Sequence, residues 1–356
     1  MKILALDLGK YKSVGCDYDQ ESGAHEFETI ATNPQSLHDL LVERQPDRVV
    51  IEICSIAGWV CDLVRALGIE MQVASTNDER WRWKRVKKKS DRVDALKLAQ
   101  LSALNQLSLA QGPEHQLTLV HVPEHRIRQW RALINYRQHL IQRRTKIKNH
   151  IRDLLAREAI LLPRGQHAWT LKEMIALEEM SRPLAEVEMD ELWRGELRLE
   201  LHDLCQLEAP IHEVEQKLDG IGKADQRVQL LQTIPGVGPR LAEALVALID
   251  DPGRFKKGKE VGAYLGMVPK QLDSGESVRL GRITRHGNRL VRALLVEVSW
   301  IGLRYNPWAR QVYERTRAGK KERKKIAVVA VGRRLLVCSW AMLRDEQPWR
   351  VAVKAN

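Results

Sequence analysis

Cysteine is sparse and scattered in this 356-residue sequence: Cys16, Cys54, Cys61, Cys205 and Cys338, an odd number with no pair at CxxC spacing. That excludes a zinc ribbon and a disulfide framework, and points to a reduced, cytoplasmic protein. No stretch reads as the run of about 18 apolar residues that a membrane span needs. The opening MKILALDLGK has a single lysine and then an aspartate within its apolar stretch, which breaks a signal-peptide pattern. The 11 histidines show no HExxH or paired zinc spacing. Gly253 to Lys259 nearly spells a Walker A loop, but Glu260 stands where the magnesium-binding hydroxyl belongs. Gly236 and Gly238 begin a GxG without its third glycine. ATP and dinucleotide sites are therefore not expected.

What is abundant is positive charge. Lys and Arg number 58 against 46 acidic residues, a formal net charge of +12. A chain this basic seeks a polyanion, with DNA or RNA as the default. Hydrophobic residues make up 44%, enough for real cores, and the length suits two or three domains.

Residues 1–112 read as an α/β domain. Strands are predicted at Ile3–Leu8, Ser13–Asp17, Glu26–Ile30, Arg48–Ile53 and Glu70–Ala74. Helices are predicted from Pro34 to Arg44 behind an Asn33 cap, from Gly58 to Leu67 with Gly68 to end it, and from Ser90 to about Leu101. Residues 113–220 read as a helical, coiled-coil-like linker built of two long stretches, 124–158 and 184–218. The first carries apolar positions such as Ile127, Trp130, Ile134 and Leu155, with ten basic residues on its other faces. Residues 221–356 read as a mainly α-helical domain. It opens on a helix-hairpin-helix-like turn, Ile234-Pro-Gly-Val-Gly-Pro, whose glycines let backbone amides approach a phosphate. A helix at Leu241–Ile249, a basic Gly/Ser loop at 270–288, and helices at about 289–305 and 320–345 follow.

Four acids form a constellation. Asp7 and Glu52 lie near the ends of predicted strands, where each can reach a sheet edge without entering the core. Asp91 and Asp94 are three residues apart on a predicted helix and so share a face. Clustered carboxylates repel one another and suit Mg²⁺, a hard cation that takes oxygen ligands and keeps positions open for water and phosphate. Singly, each is explained as an ordinary strand-end or helix-start acid. Just before Asp91 stands Arg80-Trp-Arg-Trp-Lys-Arg-Val-Lys-Lys-Lys, seven basic residues interleaved with two tryptophans. That composition suits a backbone-and-stacking surface beside phosphate chemistry.

The segments LALDLGK, VVIEICSIAGWV and KKKSDRVDALKLA together resemble the DEDD transposases of bacterial insertion sequences. Their N-terminal domain is similar to RuvC-type junction resolvases of the ribonuclease H fold. The resemblance implies that Asp7, Glu52, Asp91 and Asp94 are the metal-binding acids. It continues through Tyr264–Pro269, Ser274-Gly275 and Gly281–Asn288. In that family a serine before a glycine is the proposed nucleophile, which implies Ser274 here. The family often has two serines before the glycine, and here Asp273 takes the first place, so Ser277 stays an alternative. A serine hydroxyl needs a base, a metal or a lowered pKa to act, and no partner histidine is evident from spacing. The resemblance further implies a DNA transposase or recombinase guided by a structured noncoding RNA and working as a dimer or tetramer. Two other readings are a hydrolytic RuvC-like nuclease or junction resolvase, and a non-enzymatic nucleic-acid-binding protein.

Overall fold

The computed structural model describes residues 1–75, 90–107, 117–274 and 277–350, without the side chains of 105–107 and 271–280. The basic run at 80–89 and the boundary residues Gly112 and Pro113 lie outside the described residues. The chain divides into two compact units, Met1–Arg128 and Gln129–Asn356.

Unit 1 is a mixed five-stranded sheet with helices on both faces. Its strands are β1 (Lys2–Leu8), β2 (Lys12–Asp19), β3 (His25–Ala31), β4 (Arg48–Glu52) and β5 (Glu70–Ala74), in the order β3-β2-β1-β4-β5. β1 and β4, and β4 and β5, run parallel; the β1–β2 and β2–β3 pairs are antiparallel. All five match their predicted positions to within about two residues, the usual uncertainty of element ends. The central strands are apolar on both faces because both faces are covered. Leu4, Leu6, Val49, Ile51 and Val73 pack with α1 (Pro34–Arg44) and α2 (Ala57–Ala66). Ile3, Ala5, Val50 and Ala74 point the other way and pack with Ala95, Leu98, Ala99 and Ala103 of α3 (Asp91–Leu107). The Asn33 carboxamide caps α1, accepting from the Ser36 amide at 2.9 Å, and Pro34 sits in its first turn.

Unit 2 is mostly helical. Two helices of 33 residues each, α4 (His125–Arg157, whose first turn belongs to unit 1) and α6 (Leu192–Ala224), dominate its first half. The ion pairs Arg137–Glu215 and Arg144–Glu208 and the His150–Glu200 hydrogen bond step down one helix as they step up the other, so the two run antiparallel. Between them lies α5 (Leu171–Met180), not expected from the sequence, and its Leu177 is fully buried with Ile151, Leu155, Leu197 and Leu201. The second long helix starts at Leu192 rather than 184, because 184–191 is taken up by two short 3₁₀ turns. It also runs through the predicted boundary at 220.

The rest comprises α7 (Gln226–Gln232), α8 (Pro239–Ile249), α9 (Gly258–Tyr264), β6 (Pro269–Ser274), β7 (Ser277–Ile283), α10 (Arg289–Tyr305), α11 (Pro307–Arg317) and α12 (Lys324–Asp345). α7 and α8 flank the predicted glycine turn. Gly236 there has φ +93° and packs against the Gly302 backbone of α10. The basic stretch after Lys270, expected to be a loop, instead holds an antiparallel two-stranded hairpin. The segment Lys321–Asp345 also corrects the sequence expectation: it contains an 18-residue stretch whose mean hydropathy of 1.7 would suit a membrane span. Of that stretch 56% is buried inside unit 2, where α9, α10 and α11 pack around α12.

Candidate active site

Asp7 and Glu52 are brought together by strand register. β1 and β4 pair in parallel with Leu6 opposite Ile51, so the next step places Asp7 opposite Glu52. Side chains alternate along a strand. Asp7 therefore shares a face with Ile3 and Ala5, and Glu52 shares that same face with Val50. This is the face on which α3 lies. Asp91 and Asp94 occupy the first turn of α3, and Asp94 is buried beside Ala95 and Leu98, which pack on the sheet. Asp91 is exposed. Gly9 permits the turn that follows Asp7, since a Cβ there would collide with the Lys12 carbonyl.

The α3 helix is fastened by a polar network that sequence reasoning missed. Arg48, 2% exposed, donates to Glu70 Oε2 at 2.9 Å and to the Ser102 carbonyl at 3.3 Å. The Ser102 hydroxyl donates to Gln72 Oε1 at 2.9 Å, and Gln72 Nε2 donates to Glu70 Oε1 at 3.1 Å. Four residues on β4, β5 and α3 are thus joined in one hydrogen-bonded network that ties the helix to the sheet, with the buried Arg48 Nε left without a partner among the described residues. The only signal in the sequence was an arginine opening an otherwise apolar strand. At the acidic end of α3, burial lowers the Lys97 ammonium pKa while Asp94 pulls it back up.

An all-carboxylate donor set at one end of one sheet face has the chemistry of a hard-cation site. Among the described residues, however, no three His, Cys, Asp or Glu side chains are grouped closely enough to hold one ion. The backbone places the four acids; the side chains are not drawn into one coordination sphere.

Ser274 and Ser277 belong to unit 2. They face each other as the last pair of the β6–β7 hairpin, closing its tip. Gly275 and Glu276 between them, and both serine side chains, lie outside what is described. The base of the hairpin is built by two glycines. Gly266 has φ +68° and Gly287 φ +77°; a Cβ on the first would collide with the His286 backbone, and on the second with the Tyr264 carbonyl. The flanking segments therefore cross backbone to backbone. Arg285 donates its amide to the Gly266 carbonyl at 3.1 Å and Thr284 to Val268 at 2.9 Å. Arg292 of α10 lies within reach of the Leu265, His286 and Gly287 carbonyls at 3.0, 2.6 and 3.0 Å. Burial lowers its pKa, and neighbouring Arg285 and Arg289 lower it further.

The basic face expected on α4 is largely committed elsewhere. Arg128 pairs with Asp62, Arg137 with Glu215, Arg144 with Glu208 and Arg157 with Glu196. Arg131 binds the Ala247 and Leu248 carbonyls, Arg152 those of Pro163 and Gly165, and Lys148 lies over Trp169. Arg126, Arg143 and Lys146 remain as exposed cations.

Two family models match the chain. A DEDD transposase model of the IS110 type covers residues 4–159, and the model for the transposase IS116/IS110/IS902 family covers 228–314. Similar along most of its length is the transposase for insertion sequence element IS1111A of Coxiella burnetii. It is 26% identical over 360 residues, 98% of this chain and 92% of that protein. The chain belongs to the IS110 family of DEDD transposases. Other relatives are a probable family 20 transposase of Pseudomonas aeruginosa, 31% identical over 60% of this chain, and a pilin gene-inverting protein of Moraxella lacunata, 29% identical over 39% of it. The matched stretches span 63% and 43% of those two proteins, less than two thirds of either. All four acids fall within the first matched stretch of the IS110-family chain, and both serines fall within the second.

Proposed function

We propose that this IS110-family protein is a DNA transposase or recombinase that excises and inserts a mobile element by phosphoryl transfer. The observation that carries the reading is the β1–β4 register. It sets Asp7 beside Glu52 on the sheet face where α3 presents Asp91 and Asp94, inside the stretch matched by the DEDD family model. Residues 1–112 are read as a RuvC-like, ribonuclease-H-type domain, residues 113–220 as a coiled-coil linker, and 221–356 as the transposase domain with its helix-hairpin-helix-like turn. DNA, as element ends and target, is the substrate. The relative that inverts a pilin gene supports rearrangement of DNA as the class of reaction.

Asp7, Glu52, Asp91 and Asp94 would hold Mg²⁺. Bound there, the ion supplies Lewis-acid stabilisation of charge on the transferring phosphoryl group. The protein's part is to keep carboxylates on three rigid elements, so that little reorganisation is needed when DNA arrives. Burial at Asp94 strengthens its interaction with any cation that approaches. Ser274 is the proposed nucleophile, with Ser277, its cross-strand partner, as the alternative. Its hydroxyl oxygen attacks a phosphodiester and forms a phosphoserine link as the DNA oxygen leaves, while its proton passes to a base. A structured noncoding RNA is the proposed guide, and a dimer or tetramer the proposed assembly, because two DNA partners must be held together.

The test is excision in cells, with the gene in its native flanking DNA and amplification across the joined, circular element. Wild type, Asp94→Ala and Ser274→Ala are compared at equal protein levels. Both variants are expected to lose the junction product by at least a hundredfold, in the range typical for a removed catalytic group. A Ser274→Ala protein with full activity beside a dead Asp94→Ala protein would move the chemistry to the acids alone and favour the hydrolytic reading.

A further inference from the structure

A groove of about 630 Å³ in unit 2 runs between the start of α9, the ends of α11 and the middle of α12. Lys259, Arg333 and Arg334 line it, together with the Trp308 indole. None of its lining residues is acidic, and none of the three cations has an ion-pair partner among the described residues. Elsewhere in the unit Arg137, Arg144, Arg227, Arg240 and Arg317 each meet a carboxylate. The helices that carry the cations are also held close by construction. Gly258 and Gly262, one turn apart on α9, face α12: a methyl at 258 would stand 2.7 Å from Val337 Cγ1, and one at 262 would stand 3.4 Å from Arg333 Nε. The glycines thus let α9 lie against α12 and let the Arg333 stem run over the α9 backbone. Trp308 is fixed from behind by an edge-to-face contact with Trp349, ring centres 5.2 Å apart.

Unpaired cations on rigid helices repel one another, and an anion relieves that cost. An aromatic side chain beside a group of cations is the combination that holds one nucleotide of a strand, phosphate on the cations and base on the ring. The volume falls within the usual range of about 300–1,000 Å³ for a ligand site. We propose that this groove binds a single-stranded phosphodiester segment. The proposal rests on the nucleic-acid reading above for its ligand class, but not on any step of the chemistry. The groove's α12 wall lies beyond the 228–314 stretch that the family model matches.

Cys338 lines the same groove and provides a probe at the site. Its thiol is half-buried, and burial raises its pKa; Cys205 is exposed and serves as an internal control. The full-length protein would be alkylated with and without a ten-nucleotide DNA strand, the same strand as RNA, a matched duplex, a mononucleotide and inorganic phosphate. Mass spectrometry reads each cysteine. Either strand is expected to slow modification of Cys338 at least fivefold and leave Cys205 unchanged, and the stronger protector identifies DNA or RNA as the source. Anisotropy with the labelled strand is expected to show about tenfold weaker binding for the Arg333→Gln, Arg334→Gln double variant. Its salt dependence should fall by about 0.7 per cation removed. Unchanged Cys338 reactivity in the presence of strand overturns the proposal. So does a folded double variant that binds within twofold of wild type, or protection by mononucleotide or phosphate equal to that by the strand. Because no joining step is read, an inactive transposase and an empty groove give different results.

Discussion

The two candidate centres are built on opposite principles. The acids stand on a sheet covered on both faces: two on adjacent parallel strands, two on a helix that the part-buried Arg48–Glu70–Gln72–Ser102 network fixes in place. The serines stand at the tip of a separate two-stranded hairpin, at whose base Gly266 and Gly287 let two segments cross. A metal site needs several groups fixed relative to one another, which a packed sheet provides. A nucleophile that must reach a phosphodiester needs only one anchored stem, and two strands alone have little stability of their own. The contrast teaches that the hairpin's geometry depends on its base and not on its ladder.

Breaking that base is expected to have the largest effect. Gly287→Ala forces an alanine to φ +77° and drives its Cβ into the Tyr264 carbonyl. The expected loss is about 3 kcal/mol or more, the sum of a strained backbone and a steric clash. Gly23→Ala is the control: its φ of +73° is nearly the same, but nothing lies within 4 Å of the added methyl. It should cost only about 1–2 kcal/mol, the left-handed penalty alone. Urea midpoints of the two variants separate the crossing from the dihedral. Equal losses would show that the segments can move apart, and that the base is not what fixes the hairpin.

A middling effect is expected from the fastening of the acidic centre. Ser102→Ala removes the hydroxyl that donates to Gln72 and leaves a buried amide oxygen unsatisfied. That should cost about 1–2 kcal/mol in denaturant unfolding. Amide exchange should then quicken in α3 before it quickens in α1, which packs on the other face of the sheet. Equal exchange in the two helices would mean that the network stabilises the sheet but does not seat the helix.

How far the sequence revealed these features follows from the kind of signal each left. The five strands were legible because β-branched and apolar runs broke cleanly at turn residues. Asp7 and Glu52 were legible as strand-end acids, but their pairing is a property of register, which a parallel connection hides. Asn33-Pro34 was read as a helix start. The same dipeptide at Asn306-Pro307 opens α11, with Asn306 accepting from the Trp308 amide at 3.1 Å. The hairpin was mistaken for a loop because Gly, Ser and basic residues outnumber its alternating Leu272, Val278 and Leu280. The basic face of α4 misled in the other direction. Charge counting sees ten cations, but partners such as Glu196, Glu208 and Glu215 lie more than 38 residues away along the chain. Apolar α12 shows the same limit: only packing tells a core helix from a span.

The smallest effect, and the finest test of the comparison, concerns Asp62 in unit 1. Its carboxylate pairs with the Arg128 guanidinium, whose hydrogen bond holds its pKa below the usual carboxylate range. A depressed acid contributes stability above its unfolded pKa and loses it as pH falls through the folded value. The contribution is therefore present at neutral pH and fades below about pH 4. Asp62 is 36% exposed, so solvent screening limits the pair to about 0.5–1 kcal/mol. Arg128 also keeps its bond to the Pro123 carbonyl at 2.6 Å, so Asp62→Asn should fold normally. Urea titrations at pH 7 and pH 3 are expected to show wild type ahead by that amount at the higher pH and by less at the lower. Asp225 in unit 2 should behave alike but with a larger gap. It is buried, which raises its pKa, yet its bonds to Arg227 at 3.1 and 2.7 Å and its cap on α7 outweigh burial and leave it lowered. A gap at pH 3 as wide as at pH 7 for Asp62→Asn would assign the residue's role to shape and not to charge, and would remove the ion pair from the account of how unit 1 closes on its last helix turn.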